Sequence, residues 1–275
     1  MRIIKKGSSK IFSVQEIFKY KNFIYILFLR NIATIYKQTI LGPIWQVLNP
    51  LIQSLLFTLV FSKIAKLPTD DIPPFLFYSS AMLVWVFFQS TCLKTADSFL
   101  NFAGLIRNSY IPKLTIVLSL MLENIFVFIV NFLIFILLYM YFIYLGFSLD
   151  LNYKLLLVLP LVILYICILG SSIGLIIACI SAKFRDLRFI ATYGLQIVFY
   201  VTPIVYSINS IPAKYHFFFH LNPLTFIIDY FRNLFFSTNN IDMTFFYSSC
   251  FIFIVILYIT RKLYINIISD VVDYV

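Results

Sequence analysis

The residue most out of place in this chain is Glu123, a carboxylate ten positions beyond Lys113 in a run that is otherwise uncharged from Leu114 to about Leu145. On a helix it would sit about 15 Å past that base, a depth at which an ionisable group marks a functional site by default. Two roles compete for it. It could carry protons or line a polar path, or it could tie helices together as a neutral or hydrogen-bonded carboxyl, with Asn124 and Asn131 as similar polar groups. A proton pump needs a relay, and no second carboxylate occurs in any predicted span, which favours the tie. His216 and His220 stand four apart, a spacing that can hold a metal on one helix face. They have no third ligand nearby in sequence, so packing at an interface is the favoured role. Cys92, Cys167, Cys179 and Cys250 are scattered through apolar stretches without zinc or redox spacing. Neither a Gly-x4-Gly-Lys-Ser/Thr phosphate cradle nor a His-Glu-x-x-His or Gly-x-Ser-x-Gly signature occurs.

Composition indicates what must position these groups. Of 275 residues, 62% are hydrophobic and 12% charged, against about half and about a quarter in a soluble domain. A water-soluble globule is excluded, as are disordered, collagenous and disulfide-stapled chains. A spanning helix needs about 20 apolar residues to cross ~30 Å of hydrocarbon. Charge-free intervals predict six such spans: Ile44–Phe61, Phe75–Leu93, Leu114 to about Leu145, Leu155–Ala182, Phe189 to about Val205, and Met243–Thr260. Both termini then lie on one side, and that side collects sixteen of the 21 Lys and Arg. The other side holds Lys63, Lys66, Lys154, Lys214 and Arg232, offset by Asp70, Asp71, Asp150, Asp229 and Asp242. Cytoplasmic loops retain bases, so both termini are expected in the cytoplasm. The net charge of +10, which in a soluble protein would suggest nucleic acid, is accounted for by topology, and no nucleic-acid partner is expected.

Two segments fit no simple span. Residues 1–37 form a cytoplasmic N-terminus in which Ser13-Val14-Gln15-Glu16 reads as a capping box. It opens a helix with Glu16, Lys19, Arg30, Thr34 and Lys37 on one face, amphipathic and suited to the membrane interface. A cleaved signal peptide is the rival, opposed by Arg30 directly after the apolar run and by the lack of a small-residue cleavage site. Within the remaining domain, 38–275, Pro212 and Asn222-Pro223 interrupt the stretch 207–242. Its bursts His216–Leu221 and Leu224–Phe236 are each too short to cross, so two short helices that dip into the outer leaflet and return are expected. An amphipathic loop lying flat on the outer surface is the alternative.

The run Tyr36-Lys37-Gln38-Thr39-Ile40-Leu41-Gly42-Pro43-Ile44-Trp45, followed by Asn49-Pro50-Leu51, resembles the approach to the first span in permeases of type-2 ABC exporters of bacterial polysaccharides. Phe184-Arg185-Asp186-Leu187, Thr202-Pro203-Ile204, and Leu221-Asn222-Pro223-Leu224 with Arg232 extend that resemblance in the right order over nearly the whole chain. The resemblance implies an all-α permease of the bacterial inner membrane, with six spans, an interface helix and a re-entrant segment between spans five and six. It implies a homodimer bound to two copies of a separate ATPase subunit, which holds ATP and Mg, exporting a lipid-linked polysaccharide such as O-antigen, capsule or teichoic acid. The chain itself would then hold no cofactor or metal and be no enzyme.

By the same resemblance the loops 101–113 and 183–188 dock on the ATPases, which makes Arg107, Lys113, Phe184, Arg185, Asp186 and Arg188 the expected coupling residues. Bases also gather at such ends to fix topology, but an acid between two bases, Asp186, is not required for that. The resemblance further sets Tyr215, Phe218, Phe219 and Asn222 near the outer exit. A conduit for a sugar polymer suits flat rings that stack on pyranose faces without fixing each hydroxyl, and Trp45, Trp85, Tyr193, Tyr200 and Tyr206 are candidates. Each ring has the competing role of facing lipid or another helix. The functional alternatives are a small-molecule exporter of the type-2 ABC superfamily, a membrane enzyme modifying glycans through His216 and His220, and a proton-coupled carrier resting on Glu123.

Overall fold

The computed structural model describes residues 18–37, 42–108, 111–147, 155–184, 186–237 and 243–267. The Ser13–Glu16 capping box, Gln38–Leu41 of the first motif and Arg185 lie outside the described residues. Within them the chain is helical, with connecting turns and no strand. Helix α1 (Lys21–Lys37) precedes α2 (Gly42–Phe57), which continues as a π-helical stretch over Thr58–Ile64. Then come α3 (Pro74–Ala96), the short α4 (Ser98–Asn101) and α5 (Ala103–Asn108), α6 (Leu114–Tyr144), α7 (Leu155–Ser181) and α8 (Leu187–Val201). Two short helices, α9 (His216–His220) and α10 (Pro223–Phe236), lead to α11 (Met243–Ile267).

Five helical stretches are long and apolar enough to cross a membrane: Ile44–Ile64, Pro74–Ala96, Leu114–Tyr144, Leu157–Ser181 and Met243–Asn266. The expected fifth span differs. Helix α8 has 15 residues and so extends only about 22 Å. It stops because Thr202 precedes Pro203, whose ring pushes the residue before it out of the helical region; Thr202 is extended, with ψ 138°. The segment is nevertheless fastened at both ends to α3. Arg188 pairs with Asp97, the C-cap residue of α3, while Ser207 bonds Asp70 in the turn that leads into α3. Residues 188–207 therefore run the length of α3 in the opposite direction.

Helix α3 is the axis of the bundle: 78% of its apolar window is buried, against 11% for the first span and 17% for the last. Its most extensive neighbour is α7, and the reason is local. Gly170 and Gly174 lie four apart on α7, and a Cβ on Gly174 would stand 2.5 Å from the Cys92 carbonyl oxygen and 2.6 Å from Thr95 Cβ. Where lipid surrounds a helix pair there is no hydrophobic drive between them, and small residues that admit close backbone contact supply the packing energy. Around α3 a large aromatic core gathers Phe77, Phe88, Phe128, Phe135, Phe231 and Phe235. A smaller core at the other end joins Leu27, Phe99, Ile116, Leu120, Ala178 and Tyr264.

Helix α1 packs mainly on α6. Leu27 enters the smaller core and Phe28 meets Phe126 edge-on at 6.3 Å, while Tyr25, Ile26 and Leu29 stay exposed. On the expected polar face Lys19, Arg30 and Thr34 are exposed; Arg30 lies over the Phe102 ring at 5.0 Å, and Thr34 bonds back to the Arg30 carbonyl.

Candidate coupling end and conduit

The expected coupling residues meet at one end of the bundle. The α7–α8 turn carries Lys183, Phe184, Asp186 and Arg188, and the segment α4–α5 carries Arg107, all of them exposed. Arg188 ties the turn to the residue at the head of α4–α5: its Nε lies 2.7 Å from Asp97 Oδ1, and its Nη2 donates to Oδ2 at 2.8 Å. The planar fork of arginine matches a carboxylate in this two-point way, which fixes orientation as well as distance. Because both side chains are partly exposed, the pair adds no more than about 1 kcal/mol to stability; what it provides is geometry. Lys113 lies half-buried at the start of α6, and the Lys183 ammonium sits over the Phe184 ring at 5.4 Å.

Glu123 is buried on α6 and pairs with Lys94 in the last turn of α3. Next to it Ser90 donates to the Asn124 Oδ1 at 2.7 Å, and Asn124 Nδ2 donates to the Leu120 carbonyl. The carboxylate thus ties α3 to α6. Asn131 bonds its own helix at the Val127 carbonyl.

At the opposite end, Arg232 departs from expectation. Counted from sequence among the outer loop charges, it is only 4% exposed. Its Nη1 donates to the Pro203 carbonyl at 2.8 Å, and its Nη2 to those of Ile204 at 2.8 Å and Phe77 at 3.4 Å. The guanidinium lies 3.6 Å from the Phe77 ring centroid. The break at Pro203 explains two of these partners: the carbonyls of Pro203 and Ile204 lie in irregular backbone beyond the end of α8, where buried polar groups must be paired, and a five-donor fork serves several carbonyls at once. Asn222 adds a second stitch, donating through Nδ2 to Thr202 Oγ1 at 2.7 Å while accepting from Leu224 N to cap α10. Tyr139 donates to the Phe235 carbonyl and Ser249 to that of Pro223, which fixes α10 between α6 and α11.

The candidate rings separate by burial. Trp85 is buried against Phe88 and Phe199. Tyr193 and Tyr200, with Ile197 between them, form an exposed stripe on α8, and Trp45 is exposed on α2. Phe57 and Phe199, 5.8 Å apart, set α2 beside α8. Tyr206 donates its hydroxyl to the Tyr200 and Val201 carbonyls, and burial pushes its phenol above the usual tyrosine range. Phe219 packs edge-on to Tyr206 at 6.1 Å, while Tyr215 and Phe218 are exposed. His220 stacks on Phe245 at 3.8 Å, and His216 Nε2 lies 3.1 Å from the Ile211 carbonyl. Among the described residues no group of three or more His, Cys, Asp or Glu side chains gathers to hold a metal.

Sequence reasoning did not find Asp97 as the partner of Arg188 or Lys94 as that of Glu123, since both contacts join distant helices. It also passed over Gln46, Asn49 and Gln53, whose spacing of three and four on one span is a readable polar stripe.

Bundled apolar helices around a buried α3, with a charged turn pair at one end and a stitched pair of short helices at the other, make this a multi-pass membrane protein. The chain belongs to the ABC-2 type transporter family, which matches residues 22–236. It is similar to the O-antigen export system permease protein RfbA of Klebsiella pneumoniae, 26% identical over 208 residues covering 75% of this chain and 77% of that protein. It is also similar to RfbA of Myxococcus xanthus, 24% identical with coverage of 72% and 73%. The polysialic acid transport protein KpsM of Escherichia coli is 24% identical, with coverage of 74% and 77%.

Proposed function

We propose that this chain is the channel-forming subunit of an ATP-driven exporter that moves a lipid-linked polysaccharide, of the O-antigen, capsular or teichoic acid type, outward across the bacterial inner membrane. The observation that carries the reading is its similarity to an O-antigen export permease and a polysialic acid transport protein over about three quarters of each chain. Two copies form the conduit, and two copies of a separate ATPase subunit hold ATP and Mg and drive it. Six spans with both termini cytoplasmic are supported by the two ties of residues 188–207 along α3 and by the bases gathered at the Arg188 end. The interrupted pair α9 and α10, stitched to the start of α3 and to the break after α8, supports a re-entrant outer gate.

Coupling runs through the α7–α8 turn and the α4–α5 segment. Phe184, Arg185, Asp186, Arg188, Arg107 and Lys113 contact the ATPases, and Arg188–Asp97 makes the two segments respond together. The rings exposed on the protomer, Trp45, Tyr193 and Tyr200, face the second copy and the glycan, whereas Trp85 backs Phe199. Tyr206, Tyr215, Phe218, Phe219 and Asn222 form the outer exit.

Deleting the chain in its host should abolish surface polysaccharide and leave lipid-linked polymer inside. Wild-type chain should restore export, while Arg185→Ala with Asp186→Ala should insert normally yet fail to restore it and recover less ATPase on purification. Unchanged surface polysaccharide in the deletion strain would overturn the reading. Lost efflux of a small apolar compound with normal polysaccharide would instead make the chain a small-molecule exporter.

A further inference from the structure

A crevice of about 470 Å³ opens between α2, α3 and α6, within the ~300–1,000 Å³ of sites that hold small ligands. Along α2 it runs from Gly42 to Gln53, a depth of about 16 Å, starting at the end of the bundle that holds the coupling residues. For a cavity between membrane-spanning helices its lining is unusual. Helix α2 contributes Gln46, Asn49 and Gln53, α3 contributes Gln89, and α6 contributes Asn124 and Asn131. No lining side chain is charged, and the nearest ions, Lys94 and Glu123, neutralise each other.

Several of these amides have capacity to spare. Gln53 Nε2 donates to Asn49 Oδ1, but Gln53 Oε1, Asn49 Nδ2 and the whole amide groups of Gln46 and Gln89 make no hydrogen bond among the described residues. Trp45 stands by the mouth, and Phe87 and Phe128 form part of the wall.

Ligand chemistries can be sorted against this lining. An acyl chain would strip water from the amides and return nothing, at a cost for each group. A phosphate would need cations that the wall lacks, and a metal ion would need carboxylates. An uncharged polyol fits: each hydroxyl both donates and accepts, as an amide does, and the C–H face of a pyranose stacks on an aromatic ring.

We propose that this crevice is a binding site for uncharged sugar, the headgroup of a glycolipid or a glycan end, reached from the coupling end of the bundle. As a loading site for the exported glycan it rests on the exporter reading; as a sugar site it does not. It lies between three helices of one protomer, with Trp45, the exposed ring of α2 that is read as facing the second copy, at its edge.

The chain has two tryptophans, Trp45 at the crevice and Trp85 buried in the core, so its fluorescence reports on the site. The full chain would be reconstituted in phosphatidylethanolamine and phosphatidylglycerol vesicles, with or without monoglucosyl diacylglycerol in one arm and with maltose in the other. A saturable change in Trp45 emission is expected in at least one arm. Response to the glycolipid alone assigns a membrane-borne headgroup, and response to maltose assigns recognition of the sugar itself. Gln46→Leu with Asn49→Leu should weaken it roughly tenfold or more, as loss of two hydrogen bonds implies. If that pair fails to accumulate, Gln53→Ala makes the same comparison. No response in either arm, or an undiminished one in the amide variants, overturns the site. Glycan export by the wild-type chain, measured separately in cells, tests the exporter reading: a sugar response without export defeats that reading alone, and export without a sugar response defeats the crevice alone.

Discussion

Replacing Gly174 by alanine places one methyl group where α3 and α7 approach most closely. The added carbon would meet the Cys92 carbonyl oxygen at 2.5 Å and Thr95 Cβ at 2.6 Å, where ordinary contact begins near 3.4 Å. Neither obstacle is the far end of a flexible side chain, so the two backbones must part by most of an ångström. Overpacking of this kind costs about 1–3 kcal/mol. Separation adds to it, because a radial gap of ~0.5–1 Å forfeits a quarter to a half of each dispersion contact along the seam. We expect about 3 kcal/mol for Gly174→Ala. Gly170→Ala should cost less, about 1 kcal/mol by the same reasoning, because its nearest neighbours are at 3.1 Å. Gly194→Ala is the control: nothing lies within 4 Å of its Cβ position, and alanine in place of glycine gains up to about 1 kcal/mol of helix propensity. Thermal unfolding of the purified chain in mild detergent, followed by far-UV circular dichroism, should rank Gly194→Ala at or above wild type, then Gly170→Ala, then Gly174→Ala. Equal stability of the Gly174 and Gly194 variants would refute close packing of α3 on α7.

Other predictions address the polar ties. Asp97→Arg and Arg188→Asp should each leave the fold within about 1 kcal/mol of wild type but expose the α7–α8 turn to limited proteolysis, and the double swap should restore protection; a swap as susceptible as its parents would reject the contact. Arg232→Lys keeps the charge but loses the fork, so it should lower stability by about 3 kcal/mol as carbonyls at 203, 204 and 77 lose charged partners. A lysine variant as stable as wild type in denaturant titration would count against that clamp. Lys94→Met should cost about 3 kcal/mol by leaving Glu123 buried without its partner, and adding Glu123→Leu should return most of the loss. Stability no better in the double variant than in Lys94→Met would show that the two residues do not act as a pair.

What could be read in advance, and what could not, follows from how each feature is encoded. Five of the spans were visible because burial in lipid demands continuous apolar runs, a property of the chain alone. The early end of α8 was also present in the sequence, in Thr202-Pro203, but an apolar count over Phe189–Val205 ignores what proline does to the residue before it. The charged residues are different. Lys94 looks like a loop charge because it borders an apolar run and Arg232 because its run is too short to cross, and their partners are either remote in sequence, as Glu123 is, or backbone carbonyls with no sequence signature. The rings could not be sorted at all from sequence, since stacking on a sugar, on lipid or on another ring requires the same chemistry; only burial divides Trp85 from Tyr193 and Tyr200.

The ties also constrain how motion at one end can reach the other. A displacement of the α7–α8 turn must either break Arg188–Asp97 or pull on the end of α3. Helix α3 cannot shift alone, because it is held by α7 through Gly170 and Gly174, by α6 through Lys94–Glu123, and by Arg232 through the Phe77 carbonyl. Helix α8 is tied to α3 near its two ends, by Arg188–Asp97 and Ser207–Asp70, while the stretch between them carries an exposed face and its helical hydrogen bonding ends at Thr202. A motion that keeps both ties is a rotation of the middle of α8 about its own axis against a fixed α3, with Phe199 moving over Trp85 and Phe57. Such a motion would present Tyr193 and Tyr200 differently while leaving the α3–α7 seam intact. A disulfide engineered between α8 and α3 should accordingly stop transport without altering stability, whereas one between α7 and α3 should leave transport unchanged.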